Sequence, residues 1–153
     1  MAFFEWKDSL TVGHPMIDRD HRMLIQYVNE MHTAMMSGKG KATVGLILGK
    51  LVAYTKEHFG REEIFWKSRG YVELEAHQKR HADLLKTVDK FKTDFDKGSN
   101  GLSVDVMNFL REWLNNHIMK SDQEAFKAIS ASRAAANIAS PASRRIRLRG
   151  GIG

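Results

Sequence analysis

The sequence predicts an all-α protein: an up-down-up-down four-helix bundle with an N-terminal arm and a flexible basic C-terminal tail. Three observations predict it. Four segments carry apolar residues at helical spacing. The joints between them hold turn residues: Gly38 and Gly40, then Arg69-Gly70, then KGSNG at 97–101. The β-branched alternation that strands need is missing. Four amphipathic helices with short connections close as alternating antiparallel neighbours. A chain of 153 residues favours one domain with a substantial core. We place the bundle domain at 1–130 and the tail at 131–153.

Each element follows from its own residues. Residues 1–17 form an arm, and Trp6, Val12 and Ile17 let it pack on the bundle. The first helix spans roughly 18–37, with His21, Leu24, Ile25, Val28 and Met35 along one side. The second spans roughly 41–67, with Val44, Leu48, Leu51, Val52, Thr55, His58, Phe59, Glu62 and Phe65. The third spans roughly 72–96, with His77, His81, Leu84, Leu85, Val88 and Phe91. The fourth starts after Ser103, a suitable N-cap. It carries Val106, Met107, Leu110, Trp113, Leu114, His117 and Ile118 to about Ile129. Beyond about residue 130 the chain is rich in Ala, Ser and Arg, too poor in large apolar groups to offset its ordering entropy.

Composition excludes several classes. There is no cysteine, which rules out disulfides, thiolate zinc sites and iron–sulfur clusters. No apolar run is long enough to span a bilayer. The N-terminus, MAFFEWKDSL, lacks the apolar segment of a signal peptide. We expect a cytoplasmic monomer. The formal charge of +6 does not predict nucleic-acid binding, because five arginines (Arg133, Arg144, Arg145, Arg147 and Arg149) lie beyond Glu124, the last acidic residue. Setting those five aside leaves 19 basic residues against 18 acidic ones. The basic character belongs to the tail, which could touch anionic surfaces weakly.

The chemistry lies in HFGREEIFWKSRGYVELEAHQKRH, residues 58–81. His58 and Glu62 are four apart, as are His77 and His81, so each pair projects from one face of a helix. Both pairs lie near the turn at Gly70 and therefore at a similar height. In an alternating bundle the start of the first helix, with His21, and the end of the fourth, with His117 and Asp122, share that end. Seven groups then converge, five imidazoles and two carboxylates. A single histidine on an apolar face is most often a satisfied core residue. Seven such groups meeting at one level would be very costly to bury unpaired, and a metal centre satisfies them together. His14 and His32 fall outside the set and are read as structural or surface residues. Seven N/O donors exceed what one zinc ion takes, and bridging carboxylates favour two metals of hard character, best iron. The ferritin-like version needs Glu-x-x-His pairs, and the chain has none.

His117 and Asp122 are five apart, about 140° around a regular helix. Both cannot face one centre without a local adjustment. The spacing predicts a widened turn, bend or break between 117 and 122, of the π type that functional sites favour.

The pattern resembles the hemerythrin family, specifically its single-domain bacterial members. The matching pieces are the Trp6 arm, VGHPMIDRDH at 12–21, HFGREE at 58–63, HQKRH at 77–81 and FLREWLNNHIMKSD at 109–122. The resemblance covers roughly residues 3–130. It implies two iron ions per chain, bridged by an oxo or hydroxo group, Glu62 and Asp122. His77, His81 and His117 would hold one iron, and His21 and His58 the other, which keeps an open position. Dioxygen would enter there and bind reversibly, within pocket walls of Leu24, Phe59, Trp113, Leu114 and Ile118. Two departures stand out. Similar sequences usually have methionine four residues after the bridging glutamate, where this chain has Trp66. They often have tyrosine three residues after the bridging aspartate, where it has Ala125, with Phe126 next. Both could alter the surroundings of the ligands.

The function expected is reversible dioxygen binding for storage, transport or delivery to an oxygen-consuming protein partner, without catalysis. The alternatives are an oxygen or redox sensor acting through a separate output partner, and a di-iron oxidase or peroxidase. The histidine-rich closed set disfavours iron storage.

Overall fold

The structure, a computed structural model, describes residues 2–98 and 104–132, with the backbone alone at 104–105 and 118–119. Helix α1 spans Pro15–Met36, α2 Lys41–Ser68, α3 Leu74–Asp96 and α4 Val104–Asn116. The turn His117–Asp122 is π-helical, and the chain then continues as α-helix to residue 132. The expected irregularity between 117 and 122 is present. α1 packs against α2 and α4, and α2 against α3, as in the expected bundle. No described helix is long and apolar enough to cross a membrane. The Ser103 cap and the tail beyond residue 132 lie outside the described residues.

Helix α1 begins three residues before the expected start. Pro15 occupies its first turn, where a preset φ helps and a missing N–H costs nothing. His14 caps it, Nδ1 accepting from the Ile17 N–H at 3.3 Å. His32 stacks on Phe3 with ring centroids 4.1 Å apart. Both histidines outside the set are thus structural, as expected. The arm is held by Asn29. The Phe4 N–H donates to its side-chain oxygen, and its amide nitrogen donates to the Phe4 carbonyl, both at 2.8 Å.

The α2–α3 turn sets the site's geometry. Gly70 takes φ +66°, its N–H bonds the Lys67 carbonyl at 3.1 Å, and the Tyr71 N–H bonds the Trp66 carbonyl at 3.0 Å. This 6→1 and 5→2 pair closes the helix C-terminus and reverses the chain. The turn occupies residues 69–73, so α3 starts at Leu74 rather than near 72.

The core has two parts. A large apolar cluster runs through the bundle and includes Leu24, Phe59, Trp113 and Leu114. A smaller one of Ile17, Trp66, Ala125 and Phe126, with Leu74 against it, covers the α2–α3 end. Along each helix the candidate groups fall between the two. α1 reads Ile17, His21, Leu24. α2 reads Phe59, Glu62, Trp66. α3 reads Leu74, then His77 and His81, then Leu84. The fourth helix reads Leu114, then His117 and Asp122, then Ala125. One polar layer lies between two apolar ones.

Candidate metal centre

All seven sequence-predicted ligand residues are buried, each at most 3 % exposed. The structure brings them together in two overlapping groups of donor atoms. His21, His58, Glu62, His117 and Asp122 form one, and His77, His81 and Asp122 the other. Asp122 belongs to both: Oδ1 lies 3.5 Å from His77 Nε2, and Oδ2 lies 2.8 Å from His21 Nε2 and 2.9 Å from His117 Nε2. Glu62 also spans the two. Its Oε1 lies 2.9 Å from His58 Nε2, 3.2 Å from His117 Nε2 and 3.5 Å from His81 Nε2. Its Oε2 lies 3.8 Å from His21 Nε2.

The π turn makes this possible. Five regular α-helical steps would turn Asp122 away from His117 by about 140°. One wide turn moves both into the layer, with 2.9 Å between Oδ2 and Nε2. His117 places its donor nitrogen with those of His21 and His58, while its ring centroid lies 5.3 Å from that of His81 and 5.5 Å from that of His58. Its Nε2 is 3.3 Å from His58 Nε2, an arrangement two lone pairs do not hold without a proton or cation between them.

Protons alone serve this cluster poorly. Neither oxygen of Glu62 makes a hydrogen bond, nor does Asp122 Oδ1, His81 Nε2 or either ring nitrogen of His77. The short contacts are too badly aimed. Burial lowers His117, yet the Asp122 and Glu62 carboxylates push its pKa up to about 9. His58 is likewise raised well above its ordinary value, burial being outweighed by Glu62, Asp122 and Asp20. His81 is pushed down to about 2 by burial and by His117 beside it. Two carboxylates buried at one level require positive charge, and not every imidazole can supply it as a proton. The residues fit a pair of cations. Donor atoms about 3 Å apart match neighbouring ligands on one ion at metal–donor distances near 2.1 Å. Two carboxylates each reach both groups, and the orphaned atoms gain partners.

Around this set lie residues that the sequence reading left without a role. Asp20 Oδ2 faces His58 Nδ1 at 3.0 Å, and Glu63 Oε2 faces His81 Nδ1 at 2.9 Å. Each carboxylate turns the other ring nitrogen inward, the usual support of a metal-bound histidine. Asp20 also accepts from Arg61 at 2.7 and 2.8 Å and from the Tyr54 hydroxyl at 2.8 Å. The signal was weak: an acid directly before His21 and an acid directly after Glu62, both out of phase with the apolar stripe.

The candidate pocket walls are buried. Phe59 stacks on the His81 ring at 3.8 Å between centroids, and Trp113 lies nearly parallel to His117 at 6.3 Å. Leu24 and Leu114 are fully buried in the large apolar cluster. The side chain of Ile118 lies outside the described residues. Trp66 is fully buried, its ring 4.2 Å from that of His77. A cleft between α3 and the fourth helix, edged by Arg80 and Lys120, reaches His77, His81 and His117.

Residues 12–129 match the hemerythrin HHE cation binding domain family. The chain is 35 % identical over 123 residues to a bacteriohemerythrin of Stenotrophomonas maltophilia, covering 80 % of this chain and 79 % of the relative. It is 26 % identical over 119 residues to a myohemerythrin of Theromyzon tessulatum, covering 78 % of this chain and 88 % of the relative. The crystal structure of a wild-type hemerythrin superposes with a TM-score of 0.78 at 27 % identity, covering 84 % of this chain and 99 % of that one.

Proposed function

The chain belongs to the hemerythrin family, and from that premise we propose that it holds two iron ions and binds dioxygen reversibly. One observation carries the reading: seven buried nitrogen and oxygen donors on four helical segments, with two carboxylates each reaching both groups, and with several donor atoms lacking any hydrogen bond. His77 and His81 would serve one ion and His21 and His58 the other, with Glu62 and Asp122 shared; the family resemblance assigns His117 to the first ion, although its Nε2 here groups with the donors of His21 and His58. With fewer imidazoles on the His21 and His58 side in that assignment, a small exogenous ligand would find room there. When bound, the two ferrous ions supply dioxygen with one electron each and recover both when it leaves.

The protein's own part is to orient and to exclude. Asp20 and Glu63 hold His58 and His81 with Nε2 inward. The apolar layers on either side, Phe59, Trp113 and Leu114 in one and Ile17, Trp66 and Phe126 in the other, keep water and protons from the centre. We assign the chain to storage, transport or delivery of dioxygen to an oxygen-consuming protein rather than to catalysis. The test is stoichiometry. Purified protein loaded with iron anaerobically should hold two ions per chain and take up one dioxygen per pair. One tightly bound metal, or preferential zinc with iron available, would overturn the assignment.

A further inference from the structure

The side chain of Asp20 is 4 % exposed, and its carboxylate is engaged on both oxygens. Oδ2 faces His58 Nδ1 at 3.0 Å and accepts from Arg61 Nε at 2.7 Å. Oδ1 accepts from Arg61 Nη2 and from the Tyr54 hydroxyl, both at 2.8 Å. An ionised carboxylate can only accept, so His58 carries its proton on Nδ1 and turns its lone pair on Nε2 toward Glu62 and His117. Arg61 grips both oxygens in the fork geometry that suits a guanidinium.

The second oriented imidazole is built differently. Glu63 faces His81 Nδ1 at 2.9 Å, yet is 26 % exposed, and among the described residues no lysine or arginine pairs with it. The Nδ1 atoms of His21, His77 and His117 have no hydrogen bond at all. His58 is therefore the imidazole that is joined to a buried carboxylate whose charge a third side chain balances. A carboxylate on Nδ1–H makes Nε2 a stronger donor, and a stronger donor favours the more highly charged state of a bound metal. A cation on that carboxylate opposes the effect.

We propose that Asp20 is a positioning residue that fixes His58 toward the metal centre, and that Arg61 sets how much of its negative charge that imidazole passes to the metal. The pair thereby tunes the redox potential of the ion that His58 serves. This rests on the di-iron reading, in which that ion is the one dioxygen reaches. Its potential then decides how readily dioxygen departs without keeping the electrons.

The test is a spectroelectrochemical titration of iron-loaded wild type, Asp20→Asn and Arg61→Gln. Asp20→Asn removes the negative charge, leaves Arg61 in place and should raise the potential. Arg61→Gln leaves the carboxylate uncompensated and should lower it. Each change should be large enough to alter the oxidised-to-reduced ratio at the wild-type midpoint about tenfold, and Asp20→Asn should release iron to a chelator about 10 to 100 times faster. A purely structural role would move both variants the same way or neither. Shifts of one sign in both, or no shift, overturn the proposal. If Asp20→Asn keeps no iron, Arg61→Gln decides alone, because the Arg61 side chain is 31 % exposed. A lowered potential there supports the proposal, and an unchanged one overturns it. Two irons with unmoved potentials would remove only this proposal. A wild type without two irons would remove the di-iron reading and this proposal with it.

Discussion

Trp66 and Ala125 are both fully buried in the small cluster that covers the candidate-site end of the bundle. The sequences this chain resembles usually have a medium side chain at the first position and often a large one at the second. The exchange reads as a trade of volume between α2 and the fourth helix. A double-mutant cycle tests it. Trp66→Met removes most of an indole that is 0 % exposed. Full truncation of such a side chain costs about 3–5 kcal/mol, and methionine refills part of the space, so about 2 kcal/mol is expected. Ala125→Tyr forces a ring into a packed position, costing about 1–3 kcal/mol. Independent effects would sum to about 3–5 kcal/mol, which at about 2–4 °C per kcal/mol lowers Tm by about 6–20 °C. Because the phenol fills the space the indole leaves, the double variant should recover about 1–3 kcal/mol of that loss. Urea and thermal unfolding followed by circular dichroism measure all four corners. Losses that add to within about 0.5 kcal/mol would refute the volume trade.

Leu114→Ala removes no proposed ligand. It should keep both irons, cost about 2–5 kcal/mol of stability and speed loss of the oxygenated spectrum; an unchanged lifetime would take Leu114 out of the protecting wall. Tyr54 is pushed up to about 12 by burial and by the Asp20 carboxylate to which its hydroxyl donates a hydrogen bond. Burial also raises Tyr71, so ultraviolet titration should show Tyr54 as the last tyrosine to ionise, and that last step should be absent in Tyr54→Phe. The stability this phenol contributes is complete below the unfolded value of about 10 and is lost as pH rises through its folded value. Removing residues 133–153 should leave iron content and oxygen binding unchanged, and loss of either would mean that the tail packs on the bundle.

Much of the centre was legible because its ligands repeat at helical spacing. His58/Glu62 and His77/His81 announce themselves as pairs, and burying them without metal is costly. The irregular turn was legible for the opposite reason: His117 and Asp122 break the period, so the backbone had to yield, and it does so as a π turn. The helix starts were less visible. Pro15 reads as lying outside the helix until His14 is seen capping it, and residues 72–73 look helical until the Trp66 and Lys67 carbonyls are seen bonded around Gly70. Asp20 and Arg61 were illegible as a pair. They are 41 residues apart on different helices, and no spacing rule connects a charge on one helix to its partner on another. Which imidazole accompanies which was equally hidden, since height along a bundle follows from spacing, but the side of the layer that His117 faces depends on the detailed turn.

The central claim is that the seven-group layer carries dioxygen and gives it back. The most direct measurement is the visible spectrum of the reduced protein through one gas cycle: anaerobic, then air, then oxygen removed, then air again. Reversible carriage predicts an oxygenated band that appears with air, disappears when oxygen is withdrawn and returns on re-aeration with little loss. A protein that passes straight to a stable diferric spectrum at first contact with air and never releases oxygen would contradict it, and an oxidase or redox-sensing role would take its place.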